Sequence, residues 1–279
     1  MGVKANAASL SPALQEIEAS RGEVVDRVLH VINTEEVPQT YYTGVLKFKA
    51  SDETSSPSFI PYDEDHSGLP EWISLSVPQF QVPARSFVDV PFKIIVPMDV
   101  ASGSYYAAVT ISNAPSDVVA SNGAIIEAKT ASLILLTVKG ETKLRAGLLD
   151  FTSTLFGTKT TTIVGSYRYR VQNQGNVHFE PKGSIRFTDV FGRNLLEVDA
   201  NALKSRVLPG TTRTYDVNVD QSQKLLAIGP VTATLDLDYG GESRLQQSKT
   251  LWLISWPIIS GSVVALLCVV LIVLLKKRT

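Results

Sequence analysis

The chain has 279 residues, of which 44% are hydrophobic and 19% charged, a composition typical of globular proteins. This composition excludes collagen-like, disulfide-dense and wholly disordered chains. The 26 basic residues nearly balance the 27 acidic ones, so the chain lacks the basic excess of a nucleic-acid-binding protein. The only cysteine is Cys268, which excludes an internal disulfide.

The N-terminal residues resemble the end of an export signal. Ala5-Asn6-Ala7 fits the small-x-small pattern that precedes signal-peptidase cleavage, although no apolar segment stands before it. We therefore interpret residues 1–7 as a signal-peptide remnant and expect the mature chain to begin near Ala8. The alternative is that the pattern arose by chance.

Short runs rich in Val, Ile, Thr and aromatic residues alternate with Gly, Pro, Asn and Ser clusters, which indicates β-strands. Strands at this spacing are typical of β-sandwiches. The sequence predicts an all-β protein with two immunoglobulin-like β-sandwich domains, at residues 8–140 and 141–251. The predicted strands are 10–18, 24–33, 41–49, 73–77, 87–96, 104–112 and 125–138, then 148–152, 162–173, 183–188, 195–198, 212–219, 231–239 and 249–254.

An internal repeat supports two domains of one kind. The pattern V-x-N-x-x-x-V occurs at 31–37 and again at 171–177, an offset of 140 residues. Segments 103–111 and 229–237 match at an offset of 126, and each begins with glycine and then alternates apolar with other residues. The difference predicts 14 extra residues in the first domain, in a loop around 50–71.

This loop combines six acidic residues with three large apolar ones. Long loops on sandwiches often carry binding residues, aromatic faces suit sugar rings, and carboxylates attract Ca²⁺. The acidic residues lack EF-hand spacing, however, and a solvated acidic loop is the alternative. Trp72, at the end of the loop, also fits a core or sheet-edge position. The candidate residues for binding a partner or a glycan are Phe59, Ile60, Tyr62, Asp63, Asp65 and Trp72.

The C-terminal segment has the composition of a membrane span. Residues 256–275 carry no charge, which predicts a transmembrane helix over 252–275 with Trp252 and Trp256 at its outer edge. The basic tail at 276–279 would be cytoplasmic by the positive-inside rule. The sequence thus predicts a single-pass cell-membrane protein that is largely extracytoplasmic.

Residues suited to catalysis are scarce. His30, His66 and His178 are widely separated in sequence, and the chain has no nucleophile elbow and no P-loop. A glycosidase that relies on two carboxylates remains an alternative, because folding alone can bring such residues together. We predict that the chain is not an enzyme and has no catalytic residue, metal site or cofactor.

The order of short motifs resembles that of the WxL-interacting cell-surface family of bacteria. The resemblance implies a surface protein whose first domain is associated with peptidoglycan and whose second is associated with partner or host proteins. The matching residues are Ser11-Pro12, Asn33-Thr34, 72–76, 103–107, 175–178 and 189–192.

The favoured hypothesis is a non-catalytic, membrane-anchored surface protein that binds cell-wall glycan (peptidoglycan) or other surface proteins through its immunoglobulin-like domains. A structural or assembly role, as a scaffold or stalk for an exported protein complex, is the alternative. A cell-wall hydrolase is the third hypothesis.

Overall fold

The structure of the chain is a computed structural model. The chain divides into two compact units, Met1–Lys143 and Leu144–Thr279, called here the first and second units. The structure describes residues 8–50, 53, 56–114, 129–155, 165–219, 229–240 and 243–253, together with 260–261, 263–264, 266–268 and 270.

The first unit is built from β-strands, mostly in antiparallel pairs, with one short helical turn. Its elements are β1 (Ser9–Ser11), β2 (Leu14–Ala19), β3 (Val24–Asn33), β4 (Gln39–Ala50), β5 (Pro57–Ile60), α1 (Leu69–Trp72), β6 (Ile73–Leu75), β7 (Gln79–Val82), β8 (Ser86–Ile95), β9 (Gly103–Ser112) and β10 (Lys129–Val138).

Two sheets form the sandwich of the first unit. One has the strand order β1-β3-β8-β6, and the other has the order β2-β10-β9-β4-β5, with β7 also paired to β4. Alternate residues of each strand face the space between the sheets, as the period of two requires. Leu29, Phe92, Ile94, Ile111 and Leu136 are fully buried there.

The strand predicted at 10–18 contributes to both sheets. The peptide bond between Ser11 and Pro12 is cis, and the chain changes sheet at this point. Residues before it form β1, which pairs with β3, whereas residues after it form β2, which runs parallel to β10. Proline suits such a junction because it has no N–H to donate to a ladder.

The second unit is a smaller sandwich. A sheet of order β11-β12-β15 packs against a sheet of order β14-β13-β16-β17. Tyr167, Tyr169, Ile185, Phe187 and Leu235 are fully buried in its core. Its elements are β11 (Ala146–Leu155), β12 (Gly165–Asn173), β13 (Lys182–Thr188), β14 (Asn194–Asp199), β15 (Thr212–Val219), β16 (Gly229–Asp238) and β17 (Arg244–Leu253).

The predicted all-β architecture of two sandwiches is confirmed. The segment around 50–71, predicted as a loop, contains some regular secondary structure. It contains β5 and the single turn α1, and a further strand, β7, follows it. Predicted strand residues 125–128, 162–164 and 254 lie outside the described residues.

The predicted transmembrane helix finds no support. Among the described residues, no helix is both long enough and apolar enough to cross a membrane. Trp252, predicted to flank the span, is a residue of β17 and is 71% exposed. Residues 1–7, Trp256 and the tail 276–279 lie outside the described residues.

The sheet that contains β4 carries a second apolar layer on its outer face. Leu135 of β10 points outward, opposite Tyr106 of β9, and is only 3% exposed. The Tyr106 ring lies 5.9 Å from that of Phe48, which in turn lies 6.4 Å from that of Phe59. This layer explains why the predicted strand at 125–138 is apolar on both faces, and it anchors β5 beside β4.

Candidate functional site

The edge of β4 is interrupted between two partner strands. On one side β4 pairs continuously with β9 over residues 42–46. On the other side it pairs with β7 over 39–42 and with β5 over 47–50. The three residues between these partners, Gly44, Val45 and Leu46, are called here the β4 gap.

The backbone of Val45 faces this gap. The N–H of Thr43 donates to the carbonyl of Pro78 at 3.0 Å, so the polar groups of Thr43 point away from β9. In an antiparallel ladder, alternate residues turn their N–H and C=O to the same side. The N–H and C=O of Val45 therefore also point away from β9, and no described residue bonds to them through its backbone.

A groove of about 880 Å³ opens at the β4 gap. This volume lies within the range of small-ligand and peptide pockets. Polar groups reach the groove from Tyr62, Asp63, Thr110 and Lys129. Its apolar walls are Leu46, Phe59, Pro61, Pro70, Ile73 and Leu75.

An ion pair holds the loop that forms one wall. The Nζ of Lys47 lies 2.6 Å from Oδ2 of Asp65 and 2.9 Å from Oγ of Ser67. The other carboxylate oxygen of Asp65 accepts hydrogen bonds from the N–H and the hydroxyl of Ser67. The hydrogen bond from Lys47, followed by those from Ser67, holds the pKa of Asp65 well below its usual range. The carboxylate of Asp65 thus orders the loop rather than serving as a free ligand.

The rim of the groove is also ordered. The Tyr62 ring stacks on that of His66 with their centroids 4.3 Å apart, and Nδ1 of His66 lies 2.9 Å from the carbonyl oxygen of Tyr62. The Tyr62 side chain nevertheless remains 49% exposed. The aromatic surface at the rim is therefore held in place by contacts within the loop.

The structure brings together only some of the predicted site residues. Phe59, Tyr62 and Asp63 line the groove. Ile60 instead pairs with Lys47 in the ladder between β4 and β5. Trp72 is buried and packs on Tyr105 at 4.6 Å, so it belongs to the core of the first unit and is not available to a ligand.

The main residues missed by sequence analysis are those of the β4 gap. In the sequence, Val45 cannot be told from an ordinary strand residue. The interruption of the β4 edge depends on where β7 and β5, which are distant in sequence, stop pairing with β4. Gly44, within an otherwise β-rich run, was the available signal, since glycine inside a strand often marks a close approach or an irregularity. The Ca²⁺ suggestion gains no support: within the described residues, no three acidic, histidine or cysteine residues are grouped to hold a metal ion.

No protein-family model matches the chain, and no curated protein matches it in sequence. Among solved structures, the class 5 fimbriae chaperone CfaA aligns over 87% of this chain and 98% of its own, at 14% identity and a TM-score of 0.43. The E. coli chaperone DraB aligns over 86% of this chain and 97% of its own, at 13% identity and a TM-score of 0.38. A structure of the Salmonella enterica SafA pilin in complex with the SafB chaperone aligns over 90% of this chain and 99% of its own. The sequence identity is 15% and the TM-score is 0.39.

These findings correct the family resemblance: the similar structures are fimbrial chaperones, and the prediction of a WxL-interacting cell-surface protein is wrong. The motifs that suggested it lie partly at strand ends: Asn33 is the last residue of β3 and Gly103 the first of β9.

The predictions linked to that resemblance are corrected as well. The predicted single-pass membrane location, membrane partner and peptidoglycan-binding function are corrected with it: the similar structures are named as chaperones, alone or with pilin or tip-adhesin subunits, and no helix among the described residues is long and apolar enough to span a membrane. The prediction that the chain is not an enzyme agrees with the names of these similar structures, which are those of chaperones.

Proposed function

We propose that the chain is a non-enzymatic assembly protein whose first unit binds a segment of an exported partner protein in the groove at the β4 gap. This is the assembly role that the sequence left as the alternative. Two of the similar structures are named as a chaperone-tip adhesin complex and as a pilin in complex with its chaperone. The proposal gives this chain a role of the same general kind.

The groove at the β4 gap is the observation that carries the proposal. It joins apolar walls to an open strand edge, and the Lys47–Asp65 ion pair fixes the loop beside it. Burying one partner side chain of the size of valine or leucine there contributes about 1.5 to 3 kcal/mol. The open strand edge beside these walls offers backbone hydrogen bonds, which suit an extended protein segment.

The first step of the test is to isolate the partner by crosslinking it to the chain in the cells that produce both proteins. A photo-reactive amino acid placed at Tyr62 crosslinks the bound protein, which is then purified. Its affinity for the full chain is measured by calorimetry. We expect Phe59→Ser to weaken binding about tenfold or more, because Phe59 lines the groove.

Phe87→Ser is the matched control. Phe87 is 61% exposed on β8, is not part of the groove, and loses the same side-chain atoms when replaced by serine. Thermal melting of both variants checks that each one folds. Equal effects of the two substitutions on affinity would remove the groove as the binding site.

A further inference from the structure

We infer that the ligand of the groove is an extended polypeptide segment that forms a single β-bridge with the backbone of Val45. This inference rests on the proposed function and names how the partner is held. Extended peptides commonly bind by adding to an exposed strand edge, with backbone hydrogen bonds supplying affinity and side-chain pockets supplying specificity.

The β4 gap limits the length of the bridge. β7 ends its pairing with β4 at Tyr42, and the carbonyl of Pro78 still reaches the N–H of Thr43. β5 resumes the pairing at Lys47. Among the described residues, the edge left without a partner strand thus covers three residues, about 10 Å of extended chain, and Val45 is the one of the three that turns its backbone N–H and C=O toward the groove. A ligand strand forms two backbone hydrogen bonds here, one with the N–H and one with the C=O of Val45. On either side of this point its chain turns away from the sheet, because β7 and β5 occupy the edge of β4.

The two faces of the sheet determine which side chains fit. Val45 lies opposite Val109 and packs toward the core, so a ligand residue bridged to Val45 points its side chain to the same face. That face of the groove contains Ile73 and Leu75, which are apolar. We therefore expect an apolar ligand residue at the bridge.

The neighbours of the bridged residue point to the outer face. They lie over Gly44, which has no side chain and sits opposite Thr110 on β9. On this face the groove is lined by the apolar residues Leu46 and Phe59 as well as by Thr110. The expected ligand is therefore an extended segment with one central apolar residue that faces Ile73 and Leu75, while its two neighbours lie over Gly44 beside Phe59.

The experiment uses peptides selected on the full chain. A displayed library of random heptapeptides is panned against the protein, with Phe59→Ser as the counter-selection. A recovered peptide is then synthesised unmodified and with one N-methyl group at each position in turn. N-methylation removes one N–H donor, so it identifies the ligand residue that donates to the carbonyl of Val45.

We expect N-methylation of one central residue to weaken binding at least tenfold, and that of its two neighbours less than threefold, because their N–H groups point away from β4. Uniform tolerance of N-methylation would overturn the bridge while leaving the groove as a binding site. Failure to recover any peptide that distinguishes the wild-type chain from Phe59→Ser would instead overturn the proposed function.

A protein-side pair of variants tests the same bridge. Val45→Pro removes the N–H that faces the gap, and edge positions of this kind accept proline because the ladder does not use that N–H. Val45→Ala shortens the side chain but keeps the N–H. The selected peptide should bind Val45→Ala at least tenfold more tightly than Val45→Pro, and equal affinities would contradict the bridge. The N-methyl series remains decisive if Val45→Pro fails to fold.

Discussion

Asn33 and Asn173 have the same role in the two units: each is fully buried at the end of a strand and satisfies the backbone of the turn that follows. The Nδ2 of Asn33 donates to the carbonyls of Val37, at 2.9 Å, and Val82, at 3.2 Å. Its Oδ1 accepts from the N–H of Glu35 at 2.9 Å. One side chain thus joins the turn after β3 to the end of β7.

The second unit repeats this arrangement. The Nδ2 of Asn173 donates to the carbonyls of Val177, at 2.8 Å, and Val207, at 2.9 Å. Its Oδ1 accepts from the N–H of Gly175 at 2.9 Å. The shared pattern V-x-N-x-x-x-V therefore encodes a structural element, a buried amide that closes a turn and ties it to a distant segment.

Replacing Asn173 by alanine should destabilise the second unit by about 2 to 4 kcal/mol, because buried backbone groups lose their partners and are not rehydrated. Amide hydrogen exchange of β12 and β15 in the full chain measures this loss. Asn218→Ala is the control, since Asn218 is an exposed asparagine of β15. Similar protection in both variants would contradict a structural role for Asn173.

The sequence contains enough information to predict this repeat, because buried amides and alternating apolar residues are constrained locally. The same reasoning predicts most strands. The predicted membrane span at 252–275 finds no support among the described residues, which include only part of that segment.

The groove was only partly predictable for a different reason. Phe59 and Tyr62 stand out as apolar residues in an acidic loop, and they do line the groove. The β4 gap arises instead from the points at which β7 and β5 leave β4, a long-range property with no local signature. The burial of Trp72 against Tyr105 is long-range in the same way.

The fully buried Ala233 of β16 should not accept a larger side chain. Its side chain faces the core of the second unit, where Phe187 lies opposite it on β13. Ala233→Leu should overpack this position and cost about 1 to 3 kcal/mol, seen as a lower melting temperature. Thr232→Leu introduces the same side chain on the outer face of the same strand and should change the melting temperature little. Equal melting of the two variants would count against the close packing at Ala233.

The ion pair between Lys47 and Asp65 predicts how the loop beside the groove responds to acid. The folded pKa of Asp65 lies below the ordinary value of about 3.9, because Lys47 and Ser67 hydrogen-bond its ionised form. The stabilisation is therefore fully present above the unfolded pKa and is lost as the pH falls through the folded pKa. Carbon-detected NMR titration of the Asp65 carboxyl in the full chain should show a midpoint below about 3.9, the usual pKa of an unpaired aspartate.

Lys47→Met provides the matched comparison for this titration. It keeps a side chain of similar length but removes the charge and the hydrogen bonds to Asp65 and Ser67. The midpoint of Asp65 should then rise toward the ordinary range. An unchanged midpoint would mean that Ser67 alone sets the pKa and that Lys47 does not order the loop.

Gly183 is required by a close approach between β13 and β16. Its backbone has φ +157°, and a Cβ built there would overlap the carbonyl oxygen of Asp236 on the neighbouring strand. Because that neighbour is backbone held in the ladder between β13 and β16, it cannot move aside cheaply. Gly183→Ala should therefore cost more than about 3 kcal/mol, the combined effect of an unfavourable backbone conformation and overpacking.

Gly210 is the informative control for this substitution. It also has a positive φ, +71°, but a Cβ built there meets no atom within 4 Å. Gly210→Ala should cost only the conformational term of about 1 to 2 kcal/mol. Denaturant unfolding of both variants in the full chain gives the difference, and the Gly183 variant should unfold at a clearly lower denaturant concentration. Equal midpoints would show that the strands separate enough to admit a methyl group, and that contact with Asp236 does not select glycine at position 183.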